Sequence, residues 1–144
     1  MEYNEVISAL LKRGRDYSQE EVENLLGYLY YESENSEELM PIGFDDIENL
    51  ISNSKKIEFA LFDGDTLSDA LQKCIDKIGF QSERAIKTLI VKFIADTSLN
   101  HELVYSTFSK LEYSLNSSTA VDVLISATVD DDIKGGIAVV LISS

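Results

Sequence analysis

The chain reads as an α/β (α+β) protein, a mixed sheet of about four strands packed by helices and preceded by a helical hairpin. Three observations lead there. From residue 39 onward, helical and strand periodicities alternate. The run Ile137-Ala138-Val139-Val140-Leu141-Ile142 is apolar on both faces, as in a central strand covered from both sides. Ahead of it lie Val121, Val123, Ile125, Ala127 and Val129, then the acidic turn Asp130-Asp131-Asp132-Ile133-Lys134-Gly135-Gly136. Two β-branched runs around an Asp/Gly-rich turn predict a closing hairpin.

The elements follow in order. Tyr3, Val6, Ile7, Leu10 and Leu11 mark one apolar helix face over residues 2–13. Ser18 with Glu21 three residues on is a capping-box signature, and Val22, Leu25, Leu26 and Leu29 continue that helix. Tyr28, Tyr30 and Tyr31 crowd its far end, some as core and the rest as cover. Glu32 to Glu38 is an acidic break, so residues 1–38 are set apart as a hairpin appendage and 39–144 as the α/β domain.

Within that domain, Phe44, Ile47, Leu50 and Ile51 predict a short helix. Ile57, Phe59 and Leu61 alternate with Lys56, Glu58 and Ala60, a one-sided strand near an edge. Thr66 or Asp65 caps a helix carrying Leu67, Leu71, Cys74, Ile75 and Ile78. Lys87 to Ala95 is a strand interrupted by Lys92, and Asn100 to Leu115 a helix facing inward through Leu103, Val104, Phe108, Leu111 and Leu115.

Composition narrows the function. Twenty-six acidic against twelve basic residues leave a net charge of −14. Such a surface repels phosphate backbones and anionic lipid, which argues against nucleic acid and membrane as partners. A single cysteine, Cys74, forbids an internal disulfide. Polar residues break up the N-terminus, no run is long enough for a membrane span, and the expected location is the cytoplasm.

The wording of the last quarter resembles FtsZ, the tubulin-like division GTPase. Ala127-Thr128-Val129-Asp130-Asp131, Gly135 and Ile137 to Ile142 resemble its closing hairpin. Met40-Pro41-Ile42-Gly43-Phe44-Asp45-Asp46-Ile47 looks like the loop and helix start written Asn-x-Asp-Phe-x-Asp-Val. Phe59-Ala60-Leu61-Phe62 falls on the next strand, and Asp69-Ala70-Leu71 opens the following helix. Leu89-Ile90-Val91 and Ser98-Leu99 sit where the family has its third helix flanked by a strand, and residues 19–35 match its long linking helix.

The departures shape the expected function. FtsZ cradles its nucleotide in a Gly-rich loop; here seven glycines are scattered, and the sole pair, Gly135-Gly136, lies in an acidic turn. Nucleotide binding by this chain is therefore not expected, and no cofactor is. FtsZ also inserts a loop into its neighbour's nucleotide to orient the attacking water. The family's Asn falls on Pro41 and its first Asp on Gly43, leaving Asp46 as the surviving aspartate. A lone carboxylate positions water only weakly, and Asp45 and Asp46 read better as first-turn acids that complement a helix dipole. Met1 and the self-contained helix at 2–13 lean towards a stand-alone protein over a piece of a longer GTPase.

Other chemistry finds little support. His101 is the only histidine, so a His cluster or triad cannot be built. Cys74 lies on an apolar helix face and reads as buried. Asp63-x-Asp65 lacks the remaining spacing of a cation loop, and Asp130 to Asp132 reads as a solvated turn. Arg84, Lys87 and Lys92 form no evident anion pocket.

The expectation is a non-enzymatic protein-interaction module with no catalytic, cofactor or metal residues. Its candidate contact is Gly43, Phe44, Asp45 and Asp46, and its partner FtsZ or another tubulin-like filament protein. The alternative is a stand-alone homo-oligomeric scaffold, such as a homodimer, or a binding domain that reuses the fold outside cell division.

Overall fold

A computed structural model describes residues 2–14, 16–79, 86–114 and 120–144. Helices α1 (Tyr3–Arg13) and α2 (Gln19–Leu29) come first, followed by strand β1 (Ser36–Met40) and helix α3 (Phe44–Ser52). Then come β2 (Ile57–Gly64), α4 (Leu67–Ile78), β3 (Ile86–Ala95), α5 (His101–Ser114), β4 (Ala120–Asp130) and β5 (Gly136–Ser143). Arg84 and Leu115 lie outside the described residues.

The sheet has five strands in the order β1-β4-β3-β5-β2. Strand β3 runs parallel to β4; the other three pairings are antiparallel. As expected, β5 is central and β2 an edge strand.

Two expectations need correction. The acidic break hides a fifth strand: β1 spans position 38 and pairs Ser36 with Asp130 and Glu38 with Thr128. Its exposed glutamates gave no alternating signal, because an edge strand needs little apolar content. The closing hairpin is also absent. β3 inserts between β4 and β5, with Ala95 opposite Val129 on one side and Gly136 on the other. Leu89, Ile90, Val91, Phe93 and Ile94 are all buried, so β3, apolar on both faces, sits in the middle of the sheet.

Helices cover both faces, each with its own core. Leu71, Cys74 and Ile75 of α4 and Val104, Phe108 and Leu111 of α5 pack on Leu89, Val91, Phe93 and Val140. On the opposite face, Val6 and Leu10, Val22 and Leu26, and Ile47 and Ile51 pack on Phe59, Ile90, Val139 and Leu141. The N-terminal helices are thus one layer of the sandwich.

Local signals explain most helix ends. The Ser18 hydroxyl accepts from Glu21 N–H at 3.2 Å and the Glu21 carboxylate accepts from Ser18 N–H at 3.0 Å, so the capping box forms. Thr66 caps α4 and Asn100 caps α5 through side-chain oxygens. Helix α2 stops at Leu29, short of the expected 35, because the chain beyond it is drawn to β4. Tyr31 and Ser33 hydroxyls donate to the Asp130 carboxylate at 2.6 and 2.9 Å. Among the described residues, no helix is long and apolar enough to cross a membrane.

Candidate partner-contact site

The loop between β1 and α3 carries the candidate contact. A bulge between Glu38 and Met40 shifts the β1 register, the ladder ends with Met40 opposite Ala127, and Pro41 brings no N–H to extend it. Ile42 turns inward and is buried, leaving Pro41 and Gly43 exposed. Gly43 is the N-cap of α3 in an extended conformation (φ −91°, ψ 152°) that other residues also adopt.

Having no side chain, Gly43 cannot cap the helix. Asp46 supplies the remaining half of a capping box, its Oδ2 accepting from Gly43 N–H at 2.8 Å. Asp45 points to solvent while Asp46 is half-buried. The structure thus brings the four predicted residues into one turn, with the two aspartates in different environments.

Sequence reasoning missed the loop's anchor, Tyr30. Its ring lies 5.8 Å from that of Phe44, tilted by 36°, and its hydroxyl donates to the Gly43 carbonyl at 3.5 Å. Burial, then Asp46, Glu48 and Asp45, push the phenol far above its ordinary pKa, so it stays protonated as a donor. The trio Tyr28, Tyr30 and Tyr31 was the available signal. All three are half-buried, and Tyr28 and Tyr31 stack at 6.1 Å.

The remaining candidates separate. Cys74 is fully buried, with Sγ 3.3 Å from the Ala138 carbonyl, and burial pushes its thiol up to about 12. Such a thiol is no nucleophile at neutral pH. His101 is exposed at the first position of α5. Lys87 donates outward to the Asn53 carbonyl at 3.2 Å, whereas Lys92 is buried and donates to Ser126 and Thr128 at 3.1 and 2.6 Å.

The acidic turn is solvated at Asp131 and Asp132, as expected, but not at Asp130. Asp130 is buried, and besides Tyr31 and Ser33 it accepts from Asp132 N–H at 2.9 Å. These donors, Tyr31 first, hold its carboxyl below the usual range. Asp132 in turn accepts from the Asn35 amide at 2.8 Å. The cluster ties the α2–β1 loop to the β4–β5 turn.

The fold matches part of the solved FtsZ and CetZ structures. The chain superposes on an FtsZ dimer, empty, from M. jannaschii with a TM-score of 0.63 and 13% identity, over 96% of this chain and 43% of that one. CetZ1 from Haloferax volcanii, a GDP-bound monomer, matches with a TM-score of 0.58 and 12% identity, over 92% and 42%. CetZ from Methanosaeta thermophila strain DSM 6194 gives 0.53 and 8%, over 87% and 34%. The chain therefore spans less than half the length of the chains it matches, consistent with an FtsZ-like C-terminal domain. No family model and no curated protein matches its sequence.

Proposed function

We propose that this domain is a non-enzymatic interaction module that binds subunits of a tubulin-like filament, in the context of cell division, through the turn Gly43 to Asp46. One observation carries the reading: the Asp46 carboxylate, at the position of the family's surviving aspartate, is engaged by Gly43 N–H at 2.8 Å. A carboxylate held as a helix cap is poorly placed to orient an attacking water, and Gly43 offers none. Meanwhile Tyr30 and Phe44 hold the turn in a fixed shape on the surface. Such a turn offers shape for docking on the nucleotide-bearing end of a subunit without the chemistry of hydrolysis. The domain then caps or modulates a polymer instead of extending it as an active subunit.

The test adds the purified chain to GTP-driven filaments of FtsZ from the same organism. Co-sedimentation and a change in GTP turnover are expected, both reduced by the exposed substitution Asp45→Lys. Unchanged polymer mass and turnover, with no co-sedimentation, would overturn the reading. A stable homodimer under those conditions would favour a scaffold instead.

A further inference from the structure

The two outer edges of the sheet are treated differently. On β2, the Tyr17 phenol occupies both the N–H and the carbonyl of Phe59, and Lys73 Nζ donates to the Asp63 carbonyl at 2.9 Å. That edge is plugged, as monomeric sheets require. On the opposite side, β1 pairs only with Ala127 to Asp130 of β4. Ser126 Oγ takes the Met40 carbonyl at 2.8 Å, and the chain turns away at Pro41.

Asp122 to Ser126 of β4 consequently has β3 on one side and, among the described residues, no strand on the other. Its side chains are not those of a guarded edge. Val123 is 46% exposed, Leu124 and Ile125 are half-buried, and no lysine or proline interrupts them. A groove of about 230 Å³ runs beside this stretch, floored by Leu50, Ile90 and Leu124 and flanked by Asp46 and Asp122.

We propose that this open half of β4 is a strand-docking site for a short extended segment of another protein, with apolar residues alternating with basic ones. Main-chain pairing with β4 continues the line that β1 abandons, and alternate side chains enter the groove. Apolar residues meet the half-buried Leu124, above the buried Leu50 and Ile90, and basic ones meet the exposed Asp122. The net charge of −14 adds steering for a basic segment and disfavours a second copy of this chain. The length is limited, because β1 blocks the edge from Ala127 onward. This inference goes beyond the filament reading, since it rests on the sheet edge and stands whether or not the Gly43–Asp46 turn binds a filament.

The experiment uses the whole chain and a fluorescent short peptide alternating valine and lysine. A second peptide has the same charge with a central proline, and a third has glutamate in place of lysine. Binding of the first peptide is expected by anisotropy, with slowed amide exchange at Asp122 to Ser126. Proline removes a ladder donor and glutamate reverses the charge, so each should bind at least about tenfold more weakly. The exposed substitution Asp122→Lys should weaken the first peptide by about the same factor. Equal binding of the proline peptide would show mere charge attraction and overturn the proposal. So would absence of binding, protection elsewhere, or protection of these amides by dimerisation without peptide.

Discussion

The phenol oxygen of Tyr17 donates to the Phe59 carbonyl and accepts from the Phe59 N–H, each at 3.0 Å, while the two rings stack with centroids 3.9 Å apart. One side chain thus stands in for a neighbouring strand. Tyr17→Phe keeps the ring and deletes both bonds, so it should cost about 1 kcal/mol in urea unfolding. Burial, the largest cause, raises the Tyr17 pKa above 10.0. The unfolded phenol therefore ionises first, and its contribution, complete below pH 10, fades as pH rises through the folded pKa. The stability gap between the native protein and Tyr17→Phe should narrow above pH 10.

Lys92 gives the opposite slope. Burial lowers its pKa from 10.5 to about 8, with Glu38 partly opposing. Between those values the unfolded amine holds a proton that the folded one has lost, so stability rises with pH from about 8 towards 10.5. Lys92→Met removes that slope. At neutral pH the relieved desolvation is offset by the buried Ser126 and Thr128 hydroxyls losing their donor, so the net change should stay within about 1–2 kcal/mol. Urea midpoints at neutral pH and near pH 9 check both statements.

Tyr31 and Asp130 hold the α2–β1 loop against the far end of β4. Tyr31→Phe deletes the 2.6 Å bond to a buried carboxylate and should lower the melting temperature by a few degrees. Because its folded pKa is depressed, Asp130 stabilises the protein above its ordinary pKa and loses that effect as pH falls through the folded value. The variant should therefore show a shallower acid-denaturation profile, followed by circular dichroism.

At the candidate site, Gly43→Ser should supply the missing cap and stabilise by a few tenths of a kcal/mol. An added Cβ meets Asp46 Oδ2 at 3.3 Å, a contact that a flexible side chain can relieve. Asp46→Ala should cost about 0.5–1 kcal/mol by leaving the Gly43 N–H to water. Thermal melts of the two variants against the native chain test the pair.

Gly135 has φ 76°, and an added Cβ would collide with the Gly64 carbonyl oxygen. The β4–β5 connection packs too closely on the end of β2 to yield. Gly135→Ala should therefore destabilise by about 3 kcal/mol, whereas an ordinary turn glycine would cost far less. Urea denaturation gives the value directly.

Much of this was readable from residue spacing. Ser18 with Glu21, the face Leu67/Leu71/Cys74/Ile78, and the all-apolar run Ile137 to Ile142 each predicted an element that formed. These signals are local, because a cap or an amphipathic face is complete within a few turns. At the candidate site, the sequence identified the turn and its acids. The Tyr30 anchor was not legible, because it depends on α2 ending beside Gly43, thirteen residues away in the chain.

The order of residues alone determined an acidic α/β chain with an edge strand at Ile57, a central strand at its end, and a turn of FtsZ-like wording. Only the tertiary structure decided which strands became neighbours. The run Val121 to Val129 and the run Ile137 to Ile142 are adjacent in sequence and equally suited to each other. β3 nevertheless separates them, because its own apolar faces are buried best with a strand on either side. The same long-range choice set Lys92 under Ser126 and Thr128 and Tyr17 against the edge at Phe59, and among the described residues it left Asp122 to Ser126 without a second strand. Pairing partners far apart in the chain are selected by total burial, which local periodicity does not record.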